Sequence, residues 1–204
     1  MIIRYLSHSC FEIKSMKTIL IDPYFKGNPL APKYIGKPDI VLVTHEHFDH
    51  GVDAQEFDSL VVSPPAPPNV IYKKQIQMKI GDKQTVNGIE IEMISASHHQ
   101  SKYPTGFIVT IEGKRIAHLG DTYLDGVRPL SNIDLLLLPI GGYYTMNIDE
   151  AIEALRRIKP KLAIPMHYDT FDQIKANPED FKTKAEKEGF KVKILQFGEE
   201  FEFK

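Results

Sequence analysis

The chain has 204 residues, of which 42% are hydrophobic and 25% charged, with a net charge of −2 and a single cysteine, Cys10. This length predicts one domain over residues 1–204 with a substantial core, and the composition excludes a disordered chain. The near-neutral charge argues against a broad nucleic-acid surface. One thiol can form neither an internal disulfide nor a thiolate cage for zinc, so any metal site must use nitrogen and oxygen ligands.

Two features of the sequence bear on where the protein acts. Residues 1–14 lack the basic segment and the long apolar segment of a signal peptide. The longest apolar run, residues 135–140, is far too short to cross a membrane. We therefore expect a cytoplasmic protein that acts on a small-molecule substrate and has no nucleic-acid or membrane partner.

The first two-thirds of the chain is predicted to form short strands, which alternate between apolar and polar residues or run apolar throughout. Residues 39–44 are nearly all apolar and β-branched, which is typical of a strand covered on both faces. Glu112-Gly113-Lys114 predicts the turn of a hairpin within residues 105–121. The other predicted strands are residues 1–6, 10–14, 18–22, 88–97 and 134–140.

A helix is predicted to follow Asn147. Apolar residues recur at positions 148, 152, 155 and 158, which is helical spacing, and Pro160 ends the pattern. Asn147 with Glu150 three residues later resembles a capping box in which Asn replaces the usual Ser or Thr.

The C-terminal part of the chain predicts one more helix and one more strand. Asn177 and Pro178 are suited to the N-cap and first position of a helix that ends near Gly189. Residues 191–197 are then predicted to form a closing strand. Earlier in the chain, the proline-rich residues 63–70 are predicted to form a stiff surface loop rather than a domain linker.

The stretch VLVTHEHFDHG, residues 41–51, places four potential metal ligands within six positions after an apolar strand. His45 and His47 are two apart, and residues i and i+2 of an extended chain point to the same side, so both imidazoles can bind one ion. Asp49 and His50 follow where the chain could turn into a helix, which would direct their side chains towards a second ion. A solvated polar loop is the alternative, but four such residues after a buried strand favour a metal site.

Two ions need further ligands, and candidates follow three later strand segments. His98 and His99 follow the alternating strand, Asp121 follows the hairpin, and His167 follows an apolar run after the first helix. A lone histidine at such a place is more often structural. Three separate strand ends that complete one coordination set favour a dinuclear site.

The order of these motifs resembles the metallo-β-lactamase superfamily: H-x-H-x-D-H, then His, Gly-Asp-Thr and a late Pro-x-His-Tyr. More closely, the chain is similar to the UPF0173 group, small metal-dependent hydrolases related to ascorbate-6-phosphate lactonase, through LSHSCFEI, ILIDPYF, PDIVLVTHEHFDH and DLLLLPIGGYYTM. The resemblance extends from about His8 to His167. It implies an α/β (α+β) fold, namely a four-layer αββα sandwich with metals at one sheet edge, and it allows a homo-oligomer.

Carried over residue by residue, the resemblance implies His45, His47 and a histidine from positions 98–99 as ligands of the first ion. Of that pair we favour His98, because the family histidine directly follows a short strand end of small residues. His99 is then a residue of the pocket.

The resemblance also implies the ligands of the second ion, which are Asp49, His50 and His167, with Asp121 bridging both ions. His8 and Asp22 match family positions near the site. His8 is expected to line the pocket or support a ligand, or else to be structural. Asp22 is expected to orient the loops under the metals by hydrogen bonds.

This ligand set predicts hydrolytic chemistry. Two divalent ions that share a water lower its pKa to near neutrality and so produce a hydroxide that can attack an ester, lactone or phosphoester. Asp49 is the expected catalytic residue, which orients the hydroxide or passes its proton to the leaving group. Histidine and carboxylate ligands suit zinc first, and manganese or iron next.

Three other functions are compatible with parts of this pattern. A nuclease or phosphodiesterase of the same fold would need a large basic surface or an RNA-binding arm, which the sequence lacks. A diiron redox protein is expected to have a carboxylate where this chain has His47, and usually a flavin domain. A non-catalytic binding protein is expected to have lost one or more ligands.

Overall fold

The computed structural model describes residues 1–65 and 70–204. The chain divides into two compact units. The first consists of residues 1–79, 101–103 and 195–204, and the second of residues 80–100 and 104–194. Residues 66–69 of the predicted proline-rich loop lie outside the described residues.

The first unit is built on a mixed β-sheet. Antiparallel pairing joins β13, β1, β2 and β3, and parallel pairing continues from β3 through β4 and β5 to β6. Strands β1, β3 and β4 therefore run in the same direction and end at the same edge of the sheet. The described strands are β1 (Ile2–Ser7), β2 (Cys10–Lys14), β3 (Thr18–Ile21), β4 (Ile40–Leu42), β5 (Leu60–Ser63), β6 (Gln75–Gln77) and β13 (Glu200–Glu202).

The second unit contains a sheet of similar design. Antiparallel pairing joins β7 to β10 in sequence, and parallel pairing continues from β10 through β11 to β12. Strands β8, β10, β11 and β12 share one direction, so their C-terminal ends also share one edge. The described strands are β7 (Lys83–Val86), β8 (Ile89–Ser95), β9 (Thr105–Ile111), β10 (Lys114–His118), β11 (Leu135–Pro139) and β12 (Leu162–Met166).

Burial along the strands follows the apolar patterns. All three residues of β4 and all five of β11 are buried, as expected for continuous apolar runs. In β8, Ile89, Ile91 and Met93 are buried while Glu90 is exposed, which is the alternation of a half-buried strand. The apolar residues of these strands therefore form the core, and the polar residues that follow the strands lie at the sheet edges.

The two long helices begin as predicted. Helix α2 (Ile148–Ile158) has a complete capping box, because the Asn147 side chain accepts from Glu150 N at 3.0 Å and Asn147 N donates to the Glu150 carboxylate at 2.9 Å. Helix α3 (Pro178–Lys187) has Asn177 as its N-cap. The short helix α1 spans Phe48–Gly51. Three 3₁₀ turns cover Val52–Glu56, Leu124–Gly126 and Asp172–Ile174.

The predicted closing strand over residues 191–197 is wrong. Only Val192 forms a bridge, with Ala163, and the last described strand is β13 instead. The reason is that the chain passes from the second unit to the first after residue 194, which limits the pairing beside β12 to the bridge at Val192. A turn follows at Gly198, which has a φ of +87°. After this turn the backbone of residue 199 pairs with Tyr5, and the chain continues along β1. No helix among the described residues is long and apolar enough to cross a membrane.

Candidate metal centre

The first unit presents a histidine pair directly after β4. His47 has an extended backbone, with φ −65° and ψ 151°, and the ring centroids of His45 and His47 lie 4.5 Å apart. Nε2 of His45 lies 3.0 Å from Nδ1 of His47, and His45 is buried. The i, i+2 arrangement therefore turns one ring nitrogen of each histidine towards the other.

The backbone changes from extended to helical at Phe48, where α1 begins. Asp49 and His50 both lie in this short helix, so their side chains leave the chain in a different direction from the preceding pair. His50 is fully buried, and its ring centroid lies 4.1 Å from that of His45. One six-residue segment thus places two groups of ligand atoms within the same unit.

Asp22, at the end of β3, holds this segment through a buried hydrogen-bond network. Its Oδ1 accepts from Thr44 N at 2.8 Å, and its Oδ2 accepts from Thr44 Oγ1 at 2.7 Å. Oδ2 of Asp22 also lies 2.9 Å from His50 Nδ1. Because a carboxylate only accepts, Nδ1 of His50 carries the hydrogen and Nε2 keeps its lone pair.

The same network assigns the tautomer of His45. The Thr44 hydroxyl has one hydrogen, which it donates to Asp22, so it accepts from His45 Nδ1 at 3.0 Å. The lone pair of His45 therefore lies on Nε2, the atom that faces His47. Neutral imidazoles with a fixed lone pair are the form that binds a metal ion.

His8 lies beside these residues at the end of β1. It is fully buried, its Nε2 lies 3.3 Å from Asp49 Oδ2, and its ring centroid lies 5.3 Å from that of His50. His8 and Asp22 both adopt left-handed backbone, with φ of +55° and +46°. This conformation costs free energy in residues other than glycine and is concentrated at functional sites.

The second unit places one carboxylate between two histidines. Oδ2 of Asp121 lies 3.0 Å from Nε2 of His167 and 3.9 Å from Nε2 of His98. All three residues are buried, and they follow β10, β12 and β8, whose C-terminal ends share one sheet edge. A single carboxylate oxygen therefore faces one ring nitrogen of each of two histidines.

The structure distinguishes the adjacent histidines at positions 98 and 99. His98 is buried, and its Nδ1 lies 3.1 Å from the Tyr144 carbonyl, which accepts its hydrogen and leaves the lone pair on Nε2. His99 is exposed and stacks on the ring of Tyr123, at a centroid distance of 5.0 Å. Only His98 shares the buried group with Asp121.

The backbone around His167 is closely packed. His167 has a left-handed backbone with φ +56°. A Cβ atom on Gly141 would overlap with the carbonyl oxygen of His167. Position 141 therefore requires glycine, which explains this residue of the LPIGG stretch at the end of β11.

The donor set in each unit fits a divalent metal ion. Zinc binds imidazole nitrogen at about 2.0–2.1 Å and carboxylate oxygen at about 2.0–2.2 Å, so two ligands of one ion lie roughly 3–3.5 Å apart. The facing atoms of His45 and His47, and those of Asp121 and His167, are both 3.0 Å apart. The nitrogen and oxygen donors are those expected of a chain with one cysteine, which is itself buried away in β2.

Two groups that orient the histidines were not predicted. Thr44 stands next to His45 in the motif, so its role could have been inferred from a requirement for a partner at Nδ1. The Tyr144 group is a backbone carbonyl, which any residue would supply, so no feature of the sequence could indicate it.

Comparison with known proteins identifies the family of the chain. A family model for the beta-lactamase superfamily domain matches residues 2–167. The UPF0173 metal-dependent hydrolase of Pyrococcus abyssi is 39% identical over 98% of each chain, and that of Thermoplasma volcanium is 40% identical over 87% of this chain and 88% of its own. The solved structure of Igni18, a metallo hydrolase from Ignicoccus hospitalis, matches with a TM-score of 0.86 and 33% identity over 100% of this chain and 99% of that one.

The chain therefore belongs to the metallo-β-lactamase superfamily, and the predicted αββα fold class is confirmed. Within the superfamily it falls among the UPF0173 metal-dependent hydrolases. The predicted enzyme class, a metal-dependent hydrolase, is confirmed by the same relatives.

Proposed function

We propose that the chain hydrolyses an ester, lactone or phosphoester bond of a small molecule with two divalent metal ions. The observation that carries this proposal is the arrangement of donors at the strand ends, where neighbouring ligand atoms face each other in each unit. The proposed ligands of the first ion are His45, His47 and His98, those of the second are Asp49, His50 and His167, and Asp121 bridges the two.

The surrounding residues prepare these ligands for metal binding. Asp22 and Thr44 fix the tautomers of His45 and His50, and the Tyr144 carbonyl does the same for His98. Each of these three histidines therefore keeps the lone pair on Nε2, where it would be available to bind an ion. Five of the seven proposed ligands are buried, namely His45, His50, His98, Asp121 and His167, and this burial limits competition from water.

Divalent ions held by these residues would supply Lewis-acid chemistry, which activates water and polarises a carbonyl or phosphoryl oxygen. Asp49 would serve as the proton carrier, accepting a proton from the attacking water and donating it to the leaving group. Its Oδ2 lies 3.3 Å from Nε2 of the buried His8. Zinc is the first choice of metal for this donor set, with manganese and iron next.

A small substrate is favoured over a nucleic acid because the chain has a net charge of −2. A nuclease would hydrolyse phosphodiesters, so the substrate panel described below also tests this alternative. The diiron redox alternative lacks support from the donor set, which has His47 at the expected position of a carboxylate.

The test is turnover of lactones, phosphodiesters and thioesters by metal-free protein before and after zinc or manganese is restored. The proposal predicts that at least one ester class is hydrolysed only with metal, and that His45→Ala abolishes this activity. His118→Gln is the matched control, because His118 is a buried histidine outside the proposed ligand set. Activity that survives both metal removal and His45→Ala would contradict the proposal.

A further inference from the structure

Glu46 stands between the two histidines of the first ligand pair, and its side chain is engaged elsewhere. The rings of His45 and His47 lie next to each other, with centroids 4.5 Å apart, whereas the residue between them contacts a different part of the chain. Oε2 of Glu46 accepts from Ser101 Oγ at 2.8 Å, and Oε1 accepts from the backbone N of Lys102 at 2.7 Å. Both carboxylate oxygens are thus bonded to one short segment.

That segment has an unusual place in the fold. Residues 101–103 belong to the first compact unit, although residues 80–100 before them and residues 104–194 after them belong to the second. The segment is also bonded within itself, since Tyr103 N donates to Ser101 Oγ at 3.2 Å. Glu46 therefore binds an ordered turn, which we call the 101–103 turn.

The 101–103 turn is close in sequence to a proposed ligand. Only three peptide units separate Ser101 from His98. Three residues span at most about 11 Å, so a fixed Ser101 restricts the positions that His98 can occupy. Glu46 in turn is covalently joined to His45 and His47 on either side.

We propose that Glu46 is a positioning residue that sets the affinity of the first metal ion. It couples the His45–His47 pair to the segment that carries His98, so that the three ligands are held ready before the ion binds. The inference rests on the proposed function, because it assumes that these three histidines share one ion. Groups that hydrogen-bond to metal ligands contribute about 10- to 100-fold to metal affinity, and the effect of Glu46, which acts through the backbone, is expected at the lower end of this range.

The test is a competition titration of the metal-free protein with zinc against a chromophoric chelator, with wild type, Glu46→Ala, Glu46→Gln and His98→Ala compared. Glu46→Ala is expected to weaken one of two binding steps by about tenfold or more. Glu46→Gln is expected to restore part of the loss, because an amide oxygen can accept from Lys102 N while its NH₂ group donates to Ser101 Oγ. His98→Ala is expected to weaken the same step.

The double variant Glu46→Ala/His98→Ala separates positioning from a general effect. If Glu46 acts through His98, the double variant binds zinc as His98→Ala does. Glu153→Gln, on the exposed face of α2, is the control for loss of an acidic group and is expected to bind like wild type. Thermal unfolding of each metal-free variant checks that the fold is retained.

Three results would overturn the inference. In the first, Glu46→Ala binds zinc like wild type while His98→Ala loses a binding step. This result would show that Glu46 does not set metal affinity, and it would leave the proposed ligand set intact. A further loss in the double variant would mean that Glu46 acts on other ligands. Two unaltered binding steps in His98→Ala would contradict the proposed ligand set itself.

Discussion

Asp22 orients two proposed metal ligands with a single carboxylate oxygen. Its Oδ2 lies 2.9 Å from Nδ1 of His50 and accepts from the Thr44 hydroxyl, which in turn accepts from His45. All four residues are buried. A substitution at Asp22 is therefore expected to affect metal binding although Asp22 is not itself a proposed ligand.

Asp22→Asn is expected to lower zinc affinity about 10- to 100-fold. Asparagine tolerates the left-handed backbone of this position, so the loss comes from the carboxylate and its hydrogen bonds rather than from strain. The measurement is a zinc titration of the metal-free protein.

Asp53→Asn provides a matched control in the same unit. Asp53 is also buried, and within the described part of the chain it accepts from the backbone N atoms of Phe25 and Lys26 rather than from a proposed ligand. The Asp53→Asn substitution should lower the free energy of unfolding without changing zinc affinity. Equal zinc affinities for Asp22→Asn and wild type would contradict the role of Asp22.

The adjacent histidines at positions 98 and 99 are expected to differ sharply on substitution. His98→Ala should lose one of two bound zinc ions, because His98 is buried with its Nε2 towards Asp121. His99→Ala should retain both ions, because His99 is exposed against Tyr123. Elemental analysis of the two variants decides the matter, and loss of metal from His99→Ala alone would reverse the assignment.

Asp134 is expected to make stability depend on pH. Burial alone would raise the pKa of Asp134. The Lys161 ammonium and the backbone N of Arg115, each 2.8 Å from the carboxylate, outweigh this effect, so the pKa is lowered overall. A lowered folded-state pKa means that the stabilisation is present above the unfolded-state pKa of about 3.9 and is lost as the pH falls through the folded value.

Asp134→Asn should therefore lower the free energy of unfolding by about 1–2 kcal/mol near neutral pH. The difference from wild type should shrink as the pH approaches about 3. Denaturant unfolding of the metal-free proteins across this range measures both. A difference that grows in acid would show that the sign is wrong.

The capping box of α2 predicts a further stability difference. Asn147→Ala should destabilise the protein by about 1 kcal/mol, since it exposes the first-turn N–H groups of the helix. Asn177→Ala should cost less, because Asn177 accepts one bond and no reciprocal bond accompanies it. Chemical unfolding curves compare the two, and a smaller effect at position 147 would contradict the prediction.

Much of the fold follows from local patterns in the sequence. β4 and β11 were predicted from continuous apolar runs of strand length and β8 from its alternation of apolar and polar residues. α2 was predicted because its apolar spacing and its capping residues indicate the same helix. The short and polar strands β6 and β7 carry little of this pattern, since their stability comes from neighbouring strands. The residue pattern of 191–197 predicts a strand, but the turn at Gly198 and the pairing of β13 with β1 depend on tertiary contacts.

The candidate site could be predicted where side-chain chemistry repeats in a pattern, as it does in His45-x-His47-x-Asp49-His50. It could not be predicted where orientation depends on backbone groups or on contacts distant in sequence. The Tyr144 carbonyl is 46 residues from His98, and Ser101 is 55 residues from Glu46. Such partners are visible only once the chain has folded.

The most direct test of the proposed dinuclear site is the metal content of protein purified without added metal, measured together with its turnover. The protein should contain two divalent ions per chain and hydrolyse an ester, lactone or phosphoester in a reaction that stops on chelation and returns with zinc or manganese. Less than one ion per chain, together with no metal-dependent turnover, would contradict it.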